Sequence, residues 1–356
     1  MTKYKIIIYI LLAILVAAFI LGFYYNYQLS PVSRDSEKVV VEIKEGPISS
    51  IGDTLEESGL IRSAFIFKIY VKLNNVTSLK ATTYELNKNM KLSEIIEILE
   101  KGNSYNPEAI NITFKEGLNI RKIANVVAEE TNNSYESFLE VMEDEKYIDE
   151  LINKYWFLSN DIKNEKIYYP LEGYLFPNTY AFLNKDVAVK EIIEKMLDET
   201  SRQLELYRNE IEKSSYSVHE ILTLASIVEL EGASADDRAS VAGVFYNRLA
   251  DGWPLGSDVT TYYYLKIDDF KQSLNGNKNL YTCDNAYNTR CTSFTGLPVG
   301  PISNPGAESI EATVNYKKHN YYYFVADCQG KTYLNKNSTG HYNIINKLKS
   351  QNNWCS

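Results

Sequence analysis

The chain has 356 residues, enough for about two folded units, and its 45% hydrophobic and 23% charged residues exclude a disordered or low-complexity polymer. Lys and Arg number 37 against 46 Asp and Glu, a net charge of −9 with no long basic run, which argues against a nucleic-acid partner. Three His (His219, His319, His341) and four Cys leave little raw material for zinc or multi-histidine metal chemistry, whereas 29 Tyr suit stacking on sugars.

Lys3 and Lys5 precede the run IIIYILLAILVAAFILGFYY, Ile6 to Tyr25, 20 residues without a charge. As a helix this run is about 30 Å long and spans a bilayer. The alternative is a cleaved signal peptide, but a signal needs a shorter apolar centre and a small-residue cleavage site. Here Phe23, Tyr24, Tyr25 and Tyr27 follow instead, as an interfacial belt. The two lysines place the N-terminus in the cytoplasm and the rest of the chain outside, as a single-pass protein.

Gln28 to Lys38 reads as a short polar linker. Val39 to Ile43 reads as a strand, Ser49 to Leu60 and Ser63 to Leu73 as helices, and Thr82 to Leu86 as a second strand. A further helix opens at Ser93, runs to Lys101 and stops at Gly102. After a hinge at Asn106-Pro107 come a strand, Ile110 to Phe114, an amphipathic helix, Asn119 to Glu130, and two more helices, Ser134 to Met142 and Tyr147 to Lys154. Pro170 to Phe182 (PLEGYLFPNTYAF) is an aromatic loop, and Val187 to Ser214 a long helix. The fold class is α+β: a transmembrane helix, a small module and a larger mixed catalytic domain. The boundaries read as 1–26 for the cytoplasmic tip and anchor, 27–38 for the linker, 39–103 for the module and 110–356 for the large domain.

Chemistry concentrates after residue 216. Ser217 and Glu220 form a capping box that opens a helix from Val218 to Glu231. That helix is apolar on almost every side, hence buried, yet ends in Glu229 and Glu231 before Gly232. A buried carboxyl without partners holds its proton near neutral pH, the state a general acid needs. Alternatively, both glutamates simply solvate a frayed helix end. A second helix, Asp236 to Ala250, stops at Gly252, and a rigid loop rich in Pro and Gly runs through Pro298, Pro301 and Pro305. Four cysteines allow three full pairings; Cys283 and Cys291 flank one loop and are the favoured pair, with free thiols equally open.

Six motifs in order carry a resemblance: LEGYLFPNTY (Leu171 to Tyr180), ASIVELE (Ala225 to Glu231), VAGVFYNRL (Val241 to Leu249), PLGSDVTTYY (Pro254 to Tyr263), YNTRCTSFTGLPVGPISNPG and YFVAD, with His341-Tyr342-Asn343 near the end. The chain resembles the membrane-anchored endolytic murein transglycosylases of the MltG (YceG-like) family over nearly its whole length. Residues 80–102 resemble the LysM-like module that precedes the catalytic domain there. Val259, Val299, Thr82 and Leu230 depart from the family pattern, and Cys283 and Cys291 lie outside it.

The resemblance implies a lyase, a lytic transglycosylase that cuts nascent peptidoglycan strands between MurNAc and GlcNAc, leaves 1,6-anhydro-MurNAc ends and terminates strand elongation. Glu231 is the expected catalytic residue, with Glu229 in support. Glu231 also stands nearer the negative end of the helix dipole, which favours a protonated carboxyl. Glu172, Tyr174, Asn247, Asp258, Thr260, Tyr287, Asn288 and Asn304 are expected to bind substrate or to support the fold. No cofactor and no metal are expected; the implied partners are peptidoglycan strands and peptidoglycan synthases, at a bacterial cell membrane with the catalytic domain outside. A non-catalytic peptidoglycan-binding or scaffold protein is the alternative, and a water-adding muramidase the nearest enzymatic rival.

Overall fold

The computed structural model describes residues 2–44, 46–102, 105–231, 234–274, 277 and 279–354. The chain divides into two compact units, Met1–Pro107 and Glu108–Ser356.

The first unit begins with α1 (Thr2–Leu29), within which Ile7–Leu29 is a candidate membrane span with a mean hydropathy of 2.8, exposed along its apolar stretch and packed on the core only at its end, through Leu29. Then follow β1 (Lys38–Glu42), α2 (Ile48–Glu57), α3 (Ala64–Leu73), β2 (Thr83–Asn87) and α4 (Leu92–Lys101). β1 and β2 pair antiparallel with Lys38 opposite Asn87. Alternation on β2 sends Tyr84 and Leu86 inward, where they meet Leu55, Phe67, Ile95 and Leu99 in one apolar core. Gly102 ends α4 at φ 75°, the left-handed turn that glycine adopts without a Cβ penalty. Arg62 clasps the foot of α1. Its Nη1 donates to the Tyr27 hydroxyl (3.0 Å), its Nη2 to the carbonyls of Pro31 (2.6 Å) and Val32 (3.2 Å), and its guanidinium lies 4.5 Å from the centre of the Tyr27 ring.

The second unit runs β3 (Ile110–Thr113), α5 (Ile120–Glu130), α6 (Tyr135–Glu143), α7 (Glu145–Lys154), β4 (Thr179–Phe182), α8 (Val189–Glu205), α9 (Arg208–Lys213), α10 (Val218–Leu230), α11 (Ala235–Ala250), α12 (Asp258–Tyr264), α13 (Ala307–Val314), β5 (Tyr323–Ala326), β6 (Thr332–Asn335) and α14 (Ser338–Ser350). β3 pairs with β4 and β5 with β6, both antiparallel. The end of the aromatic loop is therefore a strand. The expected long helix from Val187 to Ser214 is two helices, because the chain tightens at Leu206 and Tyr207 into i→i−3 hydrogen bonds. The break leaves Leu206 exposed and buries Ile211.

α10 separates two apolar cores of this unit. Leu222 and Ala225 join the core built from α5 to α8, whereas Leu224, Ile227 and Val228 join a second core with Val241, Phe245, Leu255 and Tyr263. That double contact is why the helix is apolar all round. The capping box is formed as read: Ser217 Oγ accepts from the Glu220 amide and the Glu220 carboxylate accepts from the Ser217 amide.

Candidate active site

α10 ends at Leu230, and Glu231 is its C-cap residue. The two glutamates leave the helix end in different directions. Glu229 turns to the Pro- and Gly-rich loop: its Oε2 accepts from the Gly306 amide (3.0 Å), and Arg238 Nη2 lies 3.5 Å from its Oε1. A Cβ at Gly306 would run into the Glu116 carboxylate, so any larger residue there would displace that side chain. The same loop is tied to α10 by the Ile302 amide, which donates to Ser226 Oγ (3.0 Å), and by Ser303 Oγ, which donates to the Ser226 carbonyl (3.1 Å). Gly232, which follows Glu231, lies outside the described residues.

Glu231 opens instead on a cleft of about 430 Å³ lined also by Arg248, Ser257, Asp258, Arg290, Asp327 and His341. Ser257 Oγ donates to Glu231 Oε1 at 2.5 Å. Burial pushes the Glu231 carboxyl above the ordinary carboxylate range, and the Ser257 hydrogen bond and the Arg248 charge oppose only part of that rise. The C-terminal end of the helix dipole acts in the same upward direction. Asp258 is ion-paired with Arg290. Asp327 differs: burial pushes its carboxyl up, but donors from the backbone of Lys331 and Gln329 and from Tyr333 and Asn353 win and hold it low. Of Glu231 and Asp327, Glu231 is the one with a raised affinity for a proton.

Arg248 is fixed from α11 by Nε donating to the Tyr322 carbonyl (2.7 Å) and Nη1 to the Leu255 carbonyl (2.5 Å). His341, near the start of α14, packs its ring 5.4 Å from that of Tyr323. Burial and the neighbouring Arg248 charge lower its pKa, so the imidazole is neutral at pH 7. Its Nδ1 is buried with no hydrogen-bond partner among the described residues.

Cys283 and Cys291 form a disulfide. Cys328 is also disulfide-bonded, and Cys355 lies outside the described residues. The loop closed by the first bond positions the cleft. Thr289 Oγ1 accepts from the Ser257 amide (3.1 Å) and donates to the Ser257 carbonyl (3.3 Å), and Arg290 reaches Asp258.

Of the eight residues read as substrate-binding, Asp258 lines this cleft; the others lie in the protein interior or bond to the backbone. The Tyr174 hydroxyl is 2.8 Å from His219 Nδ1. Asn247 donates to the carbonyls of His319 and Tyr321. Thr260 bonds Thr289 and the Ser257 carbonyl, Asn288 donates to the carbonyls of Leu280 and Thr282, and the Tyr287 hydroxyl accepts from the Tyr168 amide. Asn304 accepts from the Leu175 amide and donates to the Leu118 carbonyl and to Glu172. Glu172 is buried beneath them. It accepts from the Ile120 amide, the Tyr263 hydroxyl and Asn304, and burial pushes its carboxyl up to about 8 despite those donors. Ser257, Arg248 and His341 lie in the quoted motifs, but no local spacing singles them out as neighbours of Glu231.

A sequence profile of the YceG-like family matches residues 41–347, most of the chain. The chain belongs to the YceG-like family. It is 36% identical over 331 residues to a protein of Bacillus subtilis named endolytic murein transglycosylase, covering 91% of this chain and 89% of that one. It is 35% identical over 352 residues to a Streptococcus pneumoniae protein of the same name, covering 93% of this chain and 63% of that one. The crystal structure of a YceG-like family protein from Listeria monocytogenes aligns with a TM-score of 0.61 at 37% identity, over 87% of this chain and all of that one.

Proposed function

We propose that this chain is a membrane-anchored endolytic murein transglycosylase and that Glu231 is its single acid and base. The observation that carries the reading is one carboxyl of raised proton affinity at the mouth of a cleft, with a hydroxyl donor and a guanidinium beside it. The protonated Glu231 gives its proton to the glycosidic oxygen between MurNAc and GlcNAc, and the C1–O bond breaks. The carboxylate then takes the proton of the C6 hydroxyl of the same MurNAc. O6 closes on C1, giving a 1,6-anhydro end and returning Glu231 to its protonated state without water. One carboxyl serves in both steps, unlike the paired carboxylates of hydrolytic glycosidases.

Ser257 orients the carboxyl, Arg248 opposes negative charge when it ionises, and the neutral His341 offers its ring to the substrate. Glu229 supports the site by holding the Gly306 turn. For the other residues first read as ligands, the support favours a framework role, with Asp258 as the one facing glycan. Lys3 and Lys5, ahead of the apolar stretch of α1, support a cytoplasmic N-terminus and an outer catalytic domain. The β1-α2-α3-β2 order supports a LysM-like module. A strand cutter held at the membrane works where new strands emerge, so peptidoglycan synthases are the partners this reading implies.

The test is incubation of the full chain in detergent with purified murein sacculi, followed by mass spectrometry. Anhydro-muropeptides released by the parent and absent with Glu231→Gln are expected; reducing ends in their place would make the protein a muramidase.

A further inference from the structure

α11 borders a second cleft. Phe245 and Arg248 face the Glu231 cleft; Tyr246 stands about 100° around the helix from Phe245 and about 200° from Arg248. It lines a separate cleft of about 480 Å³ together with Tyr216, Tyr316, Glu210, Lys213 and Lys318. The three tyrosine rings form one cluster, with centroids 5.1 Å apart for Tyr216 and Tyr246 and 4.1 Å for Tyr246 and Tyr316.

Two features set this cluster apart from ordinary core. Buried tyrosine hydroxyls normally find a partner. Here none of the three makes a hydrogen bond among the described residues, and none is sealed from solvent, so all three face the opening. At the rim, Lys213 and Lys318 are exposed and form no ion pair among the described residues, although neighbouring charges on α8 and α9 are paired. Glu210 is the one carboxylate in the lining.

We propose that this cleft is a second glycan-binding site, which holds a carboxylate-bearing stretch of the peptidoglycan strand away from the bond that is cut. The inference rests on peptidoglycan as the substrate. The half-buried rings of Tyr216 and Tyr316, backed by the buried Tyr246, pack against the C–H faces of a sugar, and the hydroxyls bond its acetamide and hydroxyl groups. Lys213 and Lys318 take the carboxylates of the attached peptide, and Glu210 receives its amine. An enzyme that cuts within strands gains from such a hold, because a second contact raises the effective concentration of the strand at the first.

The test uses the full chain in detergent carrying Glu231→Gln, so that binding is read without cleavage. Lys213→Gln with Lys318→Gln is expected to weaken binding of soluble peptide-bearing strands roughly tenfold, the scale of two exposed charge contacts plus lost avidity. Tyr316→Ala is expected to do the same; the lysine variant should keep the parental melting temperature, whereas Tyr316→Ala, which removes a ring packed on Tyr246, should lower it. Strands stripped of peptide by an amidase keep only the lactyl carboxylate of each MurNAc, out of reach of the peptide contacts, and should bind the parent more weakly than intact strands. In the Glu231-containing enzyme, the lysine changes should leave cleavage of the shortest strand it accepts unaltered. Unchanged affinity in all variants overturns the site; equal binding of stripped and intact strands overturns the assignment of the lysines to the peptide carboxylates. If the parent binds no peptidoglycan at all, the substrate reading fails first and the inference with it; if it binds through these residues but does not cut, the inference stands without the activity.

Discussion

Glu172 and Glu231 are both carboxyl groups that burial has pushed upward, yet their surroundings differ in kind. Glu172 sits in a closed network of four hydrogen bonds from Ile120, Tyr263 and Asn304, with no cleft beside it. Among the described residues Glu231 has one donor, Ser257, and it lines an open cleft. A raised pKa therefore does not separate a catalytic acid from a structural one. Access and unused hydrogen-bonding capacity do. Glu229 falls between them: its side chain is buried like the first and it stands two residues before the second, but its oxygens are committed to Gly306 and Arg238.

The contrast is sharpest if the two positions are changed in parallel. Glu231→Gln should lower the rate of anhydro-muropeptide release by about 10²–10⁴-fold while the protein stays folded. Glu172→Ala should do the reverse in kind, costing about 3 kcal/mol or more in stability, since an amide, a phenol and a side-chain amide lose their buried acceptor. Denaturant titration measures it, and a Glu172→Ala protein that melts like the parent would dissolve the distinction. The pH dependence has a definite sign. Glu172 binds its proton more tightly folded, at about 8, than unfolded, near its ordinary 4.5. Its contribution to stability is thus full below about 4.5 and is lost as pH rises to about 8. Glu172→Gln should flatten that decline in melting temperature.

Smaller effects probe how the cleft is held. Opening the Cys283–Cys291 bond, which spans 8 residues of sequence, should cost about 2–3 kcal/mol and loosen Thr289 against Ser257. A Cys283→Ser and Cys291→Ser double variant with parental stability would show that the loop needs no staple. Ser257→Ala should be milder still. The Ser257 donor lowers the Glu231 pKa, so its removal should move the alkaline limb of the rate profile to higher pH. A limb moved to lower pH would mean that Ser257 does not donate to the reacting carboxyl.

Much of the fold was legible because it follows local rules. The capping box at Ser217, the stop at Gly102 and the β-α-α-β-α order of the first unit are each written in a few adjacent residues. The break between α8 and α9 was not, since neither Gly nor Pro marks Leu206 and Tyr207. At the site, Glu231 could be chosen from helix position and family resemblance. Its neighbours could not, because Arg248, Ser257 and His341 come from separate segments brought together only by packing. The buried state of Glu172 was hidden for the same reason: Leu171-Glu172-Gly173-Tyr174 reads locally as a polar loop, and its donors Tyr263 and Asn304 are 91 and 132 residues away.

The Arg62 clasp has a mechanical meaning. Residues 30–37, free and extended, would give about 26 Å of play between α1 and β1. With the carbonyls of Pro31 and Val32 and the Tyr27 hydroxyl all held by one guanidinium, that play is gone. With α1 in the bilayer as proposed, the first unit is mounted on its anchor like an instrument on a post, at one stand-off height, whereas a domain on a loose tether would sweep a shell of heights. Any strand it meets is met at that level above the lipid, so the fold itself sets the distance from the membrane at which the chain first encounters glycan.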